Sequence, residues 1–263
     1  MSAPDPQVPA DADADADAGA GATADPARVA ALDAERRRVV ARIVTIGARL
    51  YAKGLIAAGD GNISARAGGL GQDGNAAAAS DSAAWSWWIT ASGTHKGFLD
   101  PDDVLEVDRN GAPRPGGVGA RRPSSEWSLH AACYAERADC GAVVHAHPPT
   151  AIALSLAGVS LEEPVLSEAA LVLGSVPVAP YVTPTTAAVG ETLRPFVRRA
   201  NAVILAHHGA LCLGRTLEEA WRRMETLEHT ALVIWRARAL GPVPTLPHEE
   251  VARLRALASR LGM

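Results

Sequence analysis

Two apolar runs in this chain each end on histidines at a chain-breaking residue. In 140–150, CGAVVHAHPPT, a Gly-Ala-Val-Val stretch reaches His145 and His147 just before Pro148 and Pro149. In 201–214, NAVILAHHGALCLG, the run Val203, Ile204, Leu205 leads to His207, His208 and then Gly209. Short apolar runs bounded by Pro and Gly read as buried strands. Residues i and i+2 of a strand share a face, so His145 and His147 aim both imidazoles one way where the prolines stop the strand. Adjacent strand residues face apart, so at most one of His207 and His208 easily joins them. For an isolated HxH the ordinary reading is two hydrogen-bonded histidines in a loop. Three imidazoles gathered from two strand ends, with a position left open, suit a catalytic zinc.

The surrounding pattern decides what kind of sheet these strands enter. Val39, Ile43, Ile46 and Leu50 recur at helical spacing before Gly54. Helices are also expected from Ser124 or Ser125, both good N-caps, and over TAIALSLAG, TTAAVGETLRPFVRRA, TLEEAWRRMETLEHTALVIWRARALG and HEEVARLRALASRLG. Strands are expected at GDGNISAR, WSWWIT, VLEV, CGAVVHAH, VPVAPYV and NAVILAHHGALCLG, the last read as one buried strand with a turn. This helix-rich mixture excludes a cupin, and it lacks the strict βαβ alternation of a parallel sheet. The expected fold class is α/β, a three-layer α/β/α arrangement around a central mixed, mostly antiparallel sheet.

Residues 1–27 form an Ala/Asp/Gly/Pro low-complexity segment expected to be disordered, which leaves 28–263 as the domain. The segment carries six Asp and no Lys or Arg; removing those six charges takes the formal net charge from −4 to +2. A nearly neutral domain argues against a nucleic-acid binder. Cys133, Cys140 and Cys212 are odd in number and contain no CxxC, which fits reduced thiols in a cytoplasmic protein. Neither a signal-peptide pattern nor an 18-residue apolar run is visible, so no membrane partner is expected.

Three polar loops complete the candidate site. PSSEW places Glu126 after Ser124 and Ser125, GDGNIS places Asn62 before a strand, and TASGTHKG places Ser92, Gly93, Thr94 and Lys96 after one. Each alone reads as an ordinary cap or turn, and Lys96 as a solvated surface lysine. Together, hydroxyls and backbone N–H groups from several loops can hold one phosphate beside a carboxylate.

With Gly61-Asn62-Ile63-Ser64, Thr90-Ala91-Ser92-Gly93, Ser124-Ser125-Glu126, His145-x-His147-Pro148 and His208-Gly209 in this order, the chain resembles the class II aldolase/adducin family from about residue 35 to 240. The resemblance implies zinc ligands His145, His147 and His208, with Mn2+ or Co2+ as other candidate ions. It implies a phosphate site of Asn62, Ser92, Gly93, Ser124 and Ser125, and Glu126 as the acid/base. The implied activity is an aldolase, a lyase that cleaves or forms a C–C bond in a small phosphorylated ketose through a zinc-stabilised enediolate. Decarboxylases and dehydratases of sugar or sugar-acid phosphates share the scaffold, as does the non-catalytic head of adducin, which has no need of the histidine set. The resemblance also implies a homotetramer completed by aromatic residues from a neighbouring subunit, for which Tyr181 is a loose candidate.

Overall fold

The computed structural model describes residues 26–67, 86–114 and 121–261. The low-complexity segment through residue 25 and the polar stretch 68–84 lie outside the described residues. The elements run in the order α1 (Pro26–Ala52), β1 (Asn62–Ala67), β2 (Ser86–Thr90), β3 (Val104–Val107), α2 (Trp127–Glu136), β4 (Ala142–Ala146), α3 (Pro149–Leu156), α4 (Ser167–Val172), β5 (Val178–Ala179), α5 (Ala187–Val197), β6 (Ala202–Leu205), β7 (Gly209–Gly214), α6 (Leu217–Leu240) and α7 (His248–Leu261).

The strands form one seven-stranded sheet in the order β3-β2-β1-β4-β7-β6-β5. All pairings are antiparallel except β5 with β6, so the sheet is mixed and mostly antiparallel as the sequence pattern predicts. Alternation along the strands divides the core in two. Ala142, Val144 and Ala146 of β4, Ala202 and Ile204 of β6, and Ala210 and Cys212 of β7 pack with α1, α3, α4 and α6. Val143, Val203, Leu205, Leu211 and Leu213 pack on the other face with Leu129 and Cys133 of α2 and Leu193 and Val197 of α5. Apolar side chains therefore leave both faces of the central strands, and helices must cover both.

Three local expectations are corrected. Helix α2 begins at Trp127 rather than at Ser124 or Ser125. The reason is that 122–124 stays extended against the end of β2: Ser92 N–H donates to Arg122 O (2.8 Å), Ser124 N–H donates to Thr90 O (3.2 Å), and Ala91 bridges Pro123. The segment 201–214 is two antiparallel strands, β6 and β7, joined by a tight turn at 206–208 rather than one strand. Helix α4 was not expected, since its six residues offer too short a pattern to read.

Candidate active site

His145 is the last histidine inside β4 and is fully buried; His147 follows the strand, anchored by its N–H donating to Leu55 O at 2.8 Å. The β6–β7 turn closes with His208 N–H donating to Leu205 O at 3.1 Å, and His207 takes the left-handed conformation (φ 57°) that the reversal requires. That turn delivers the His208 ring to within 4.8 Å of the His145 ring and 5.1 Å of the His147 ring, centroid to centroid. His207 faces away, edge-on to Tyr181 at 6.1 Å.

Two glycines explain why the strands meet this closely. A Cβ on Gly209 would stand 2.6 Å from Ala146 O and 2.7 Å from His147 Cδ2, so only glycine lets the start of β7 pass against the histidine pair. A Cβ on Gly61, which is also left-handed (φ 70°), would stand 2.8 Å from His145 O. The Gly before Asn62 and the Gly after His208 are thus packing requirements of one point in the fold.

The ring nitrogens converge. One ligand atom from each of His145, His147 and His208 lies within 4.8 Å of the others. His145 Nδ1–H donates to Ala210 O (3.0 Å), which leaves Nε2 with a bare lone pair. His147 Nδ1 lies 3.3 Å from the Asp60 carboxylate, an acceptor for its N–H, and its Nε2 points toward the other rings. These two Nε2 atoms are 3.3 Å apart. Burial, and after it the two neighbouring histidines, hold His145 well below the usual imidazole pKa, so it is neutral. Burial also lowers His208, against the opposing pull of Glu126.

The Glu126 carboxylate completes the cluster, with Oε2 3.4 Å from His145 Nε2 and Oε1 3.3 Å from His208 Nε2. With His145 neutral, the first approach is no ion pair: lone pairs of two groups face a common point. A tetrahedral ion bound at about 2.0–2.1 Å sets neighbouring ligand atoms about 3.3 Å apart, which is the spacing seen between the two Nε2 atoms and from Glu126 to its two histidines. The donor set fits a divalent cation: three converging imidazoles with a carboxylate beside them.

The phosphate candidates divide. Ser92 and Ser125 are exposed and Gly93 is open, with nothing within 4 Å of a would-be Cβ. The pairing of 90–92 with 122–124 brings the two serine loops side by side. Ser124 is largely buried, and its Oγ accepts from Glu126 N–H at 3.3 Å. Asn62 is 2 % exposed and turns toward the carboxylate, its Nδ2 donating to Glu126 Oε2 at 2.7 Å. Lys96 is not a surface lysine. At 3 % exposure its ammonium donates to Gly59 O (2.7 Å) and Thr94 O (2.8 Å), tying the loop before Asn62 to the loop after β2. An apolar stem can be buried when its charged head finds carbonyls, a pairing that local sequence does not display. Asp60 was also missed, because its only signal is a place two residues before Asn62 in a turn rich in small residues.

The family model described as Class II Aldolase and Adducin N-terminal domain matches residues 41–235. The chain is 33% identical over 168 residues to a 5-methylthioribulose-1-phosphate/5-deoxyribulose-1-phosphate aldolase of Rhodospirillum rubrum, covering 63% of this chain and 73% of that one. It is 32% identical over 210 residues to a 3-oxo-tetronate 4-phosphate decarboxylase of Pectobacterium atrosepticum, covering 78% and 87%. Among solved structures, the L-fuculose-1-phosphate aldolase of Thermus thermophilus superposes with a TM-score of 0.64 at 32% identity, over 79% of this chain and all of that one. By sequence and by fold, this chain belongs to the class II aldolase and adducin N-terminal domain family.

Proposed function

We propose that this chain is a zinc-dependent lyase that cleaves or forms a C–C bond in a small phosphorylated ketose. The observation that carries the proposal is the convergence of three histidine rings, with Glu126 beside two of them at a spacing that suits a tetrahedral ion. His145, His147 and His208 would hold the ion, which would serve as a Lewis acid for the substrate carbonyl and for the negative charge that appears as the bond breaks. Glu126 moves the proton at the adjacent carbon, reaching it from a position shared with the ion. Asn62 holds one carboxylate oxygen, so the side chain is oriented before substrate arrives. Ser92, Gly93 and Ser125 offer the exposed hydroxyls and backbone for the substrate's phosphate, with Ser124 supporting the turn beneath them. Binding energy at that remote group then orients the reacting carbon.

A decarboxylase of a sugar-acid phosphate is the second reading, favoured by the alignment to the tetronate-phosphate decarboxylase over 210 residues. It uses the same ion and phosphate loops. A cytoplasmic location is proposed from the three free, buried cysteines, two of which burial pushes up to about 12 (Cys140 and Cys212), leaving them inert as thiols. Assembly as a homotetramer is proposed from the family resemblance, with the exposed Tyr181 as the aromatic candidate at a subunit boundary.

The experiment is a Glu126→Gln variant assayed for turnover of the sugar-phosphate substrates of the relatives, with metal content measured in parallel. Turnover is expected to fall about 100- to 10,000-fold with metal retained. Undiminished turnover would refute the acid/base role.

A further inference from the structure

Behind Asn62 lies a line of buried polar side chains that the reaction as described does not use. Glu126, His130 and Tyr134 are spaced four apart, the spacing that stacks side chains on one stripe of a helix, with Glu126 at the N-cap of α2. Asn62 and Ser64 are spaced two apart on β1 and so share a face. The stripe and the face meet. Tyr134 Oη lies 2.6 Å from Ser64 Oγ, Ser64 Oγ lies 2.6 Å from His130 Nδ1, and His130 Nε2 lies 2.5 Å from Asn62 Oδ1. Asn62 Nδ2 then donates to Glu126 Oε2 at 2.7 Å. Ser64 and His130 are fully buried and Tyr134 is nearly so.

Such a chain can run in two directions, and the carboxylate selects one. If Ser64 donated to Tyr134, its oxygen would accept from His130 Nδ1–H and leave Nε2 bare. Asn62 would then turn its N–H toward His130 and its carbonyl oxygen toward Glu126, setting two acceptors against each other in a buried place. In the opposite direction every group is satisfied: Tyr134 O–H donates to Ser64, Ser64 O–H to His130 Nδ1, His130 Nε2–H to Asn62 Oδ1, and Asn62 N–H to Glu126. Burial lowers the His130 pKa to about 3, so the ring stays neutral and carries the single proton this direction needs.

We propose that Tyr134, Ser64 and His130 are positioning residues: a buried one-way hydrogen-bond chain that fixes which face of the Asn62 amide meets Glu126. An asparagine amide is nearly symmetric in shape, so packing alone does not choose between its two orientations. The chain makes that choice, commits Oε2 as an acceptor and leaves Oε1 open toward His208 and the substrate. Its consequence for catalysis rests on the proposed role of Glu126; its direction does not.

The direction is tested by 15N NMR of the histidine rings in the zinc-loaded full chain, with His130 assigned by its loss in His130→Gln. The expected result is a neutral His130 with its proton on Nε2 and a bare Nδ1. A proton on Nδ1, or a charged ring at neutral pH, would overturn the proposal. The consequence is tested with Ser64→Ala and with Tyr134→Phe, which removes one oxygen and is the milder change should Ser64→Ala fail to fold. Ser64→Ala is expected to lower kcat about 10- to 100-fold, the usual range for a group supporting an active-site residue, with KM and metal content near wild type. Tyr134→Phe is expected to give a smaller loss in the same direction. Loss of metal instead of kcat, or unchanged kcat in both folded variants, would overturn the positioning role. Should Glu126→Gln itself retain turnover, the acid/base role of Glu126 falls, and with it the catalytic consequence of the chain, while the ring measurement still decides the chain's direction.

Discussion

The two ends of the central strands β4 and β7 both gather ionisable side chains and do opposite things with them. At the end away from the histidines, charges are matched within the chain. Arg137 forms a double hydrogen bond with Asp139 (2.7 Å each) and reaches Asn201, while Arg223 donates to Leu213 O (2.6 Å), Val172 O (3.3 Å) and Glu219 (2.7 Å). At the other end three like groups are pressed together, with ring nitrogens facing a carboxylate. The first arrangement is complete as it stands. The second makes sense only around something added, and that difference, more than burial or polarity, marks the site.

The largest predicted effect breaks the site end alone. His145→Ala should take metal content, measured by elemental analysis, from about one ion per chain to near none, with catalysis lost and the fold retained. The matching change at the other end is Arg223→Ala. It leaves Glu219 and two carbonyls short of a buried partner, and should cost about 3–5 kcal/mol of stability in urea unfolding while metal content per folded chain stays unchanged. If Arg223→Ala stripped the metal, the two ends would not be separable in the way described.

Gly209→Ala should act on both properties, more weakly. Its methyl has nowhere to go between Ala146 O and His147, so stability should fall by about 1–3 kcal/mol and metal affinity by about tenfold or more. Wild-type affinity in a stable Gly209→Ala protein would show that the close approach of β7 does not set the site.

The most gradual effect, spread over several pH units, distinguishes the ends by pH. Unfolded, His130 binds a proton near 6.5; folded, burial keeps it neutral down to about 3. Between those values the unfolded chain binds more protons, so stability falls as pH falls, by at most about 1.4 kcal/mol per pH unit for this residue. His145 and His208 are shifted the same way and add to the slope in metal-free protein. At the opposite end, Arg137 holds Asp139 below its usual 3.8. Its stabilisation is present above 3.8 and is lost only as pH falls through the depressed value. Urea midpoints of metal-free protein should therefore decline from pH 6.5 onward, well before the carboxylate contributes. A flat profile down to about pH 4 would contradict the buried, neutral histidines.

Much of this was legible because it rests on short-range periodicity. The i, i+2 spacing of His145 and His147, the Pro and Gly breaks after the strands and the alternating apolar faces all point to a covered sheet with histidines at one end. What was not legible depends on tertiary pairing. Ser124 looks like a helix cap until the backbone of 122–124 is seen paired with 90–92, which delays α2 to Trp127. Lys96 looks solvated until two distant carbonyls are found around its ammonium. Asn62 looks like a turn residue free to meet phosphate, and only the packing of α2 on β1 turns it toward Glu126 and His130. The four-residue spacing of Glu126, His130 and Tyr134 was visible all along, but spacing names a stripe and not what the stripe faces.

The most direct test of a metal-dependent lyase at this site is proton exchange into dihydroxyacetone phosphate in D2O, followed by NMR with the zinc-loaded protein, with and without a chelator. The account predicts exchange at the carbon beside the carbonyl, abolished by the chelator and by Glu126→Gln. No exchange in protein shown to carry its metal would contradict the aldolase reading.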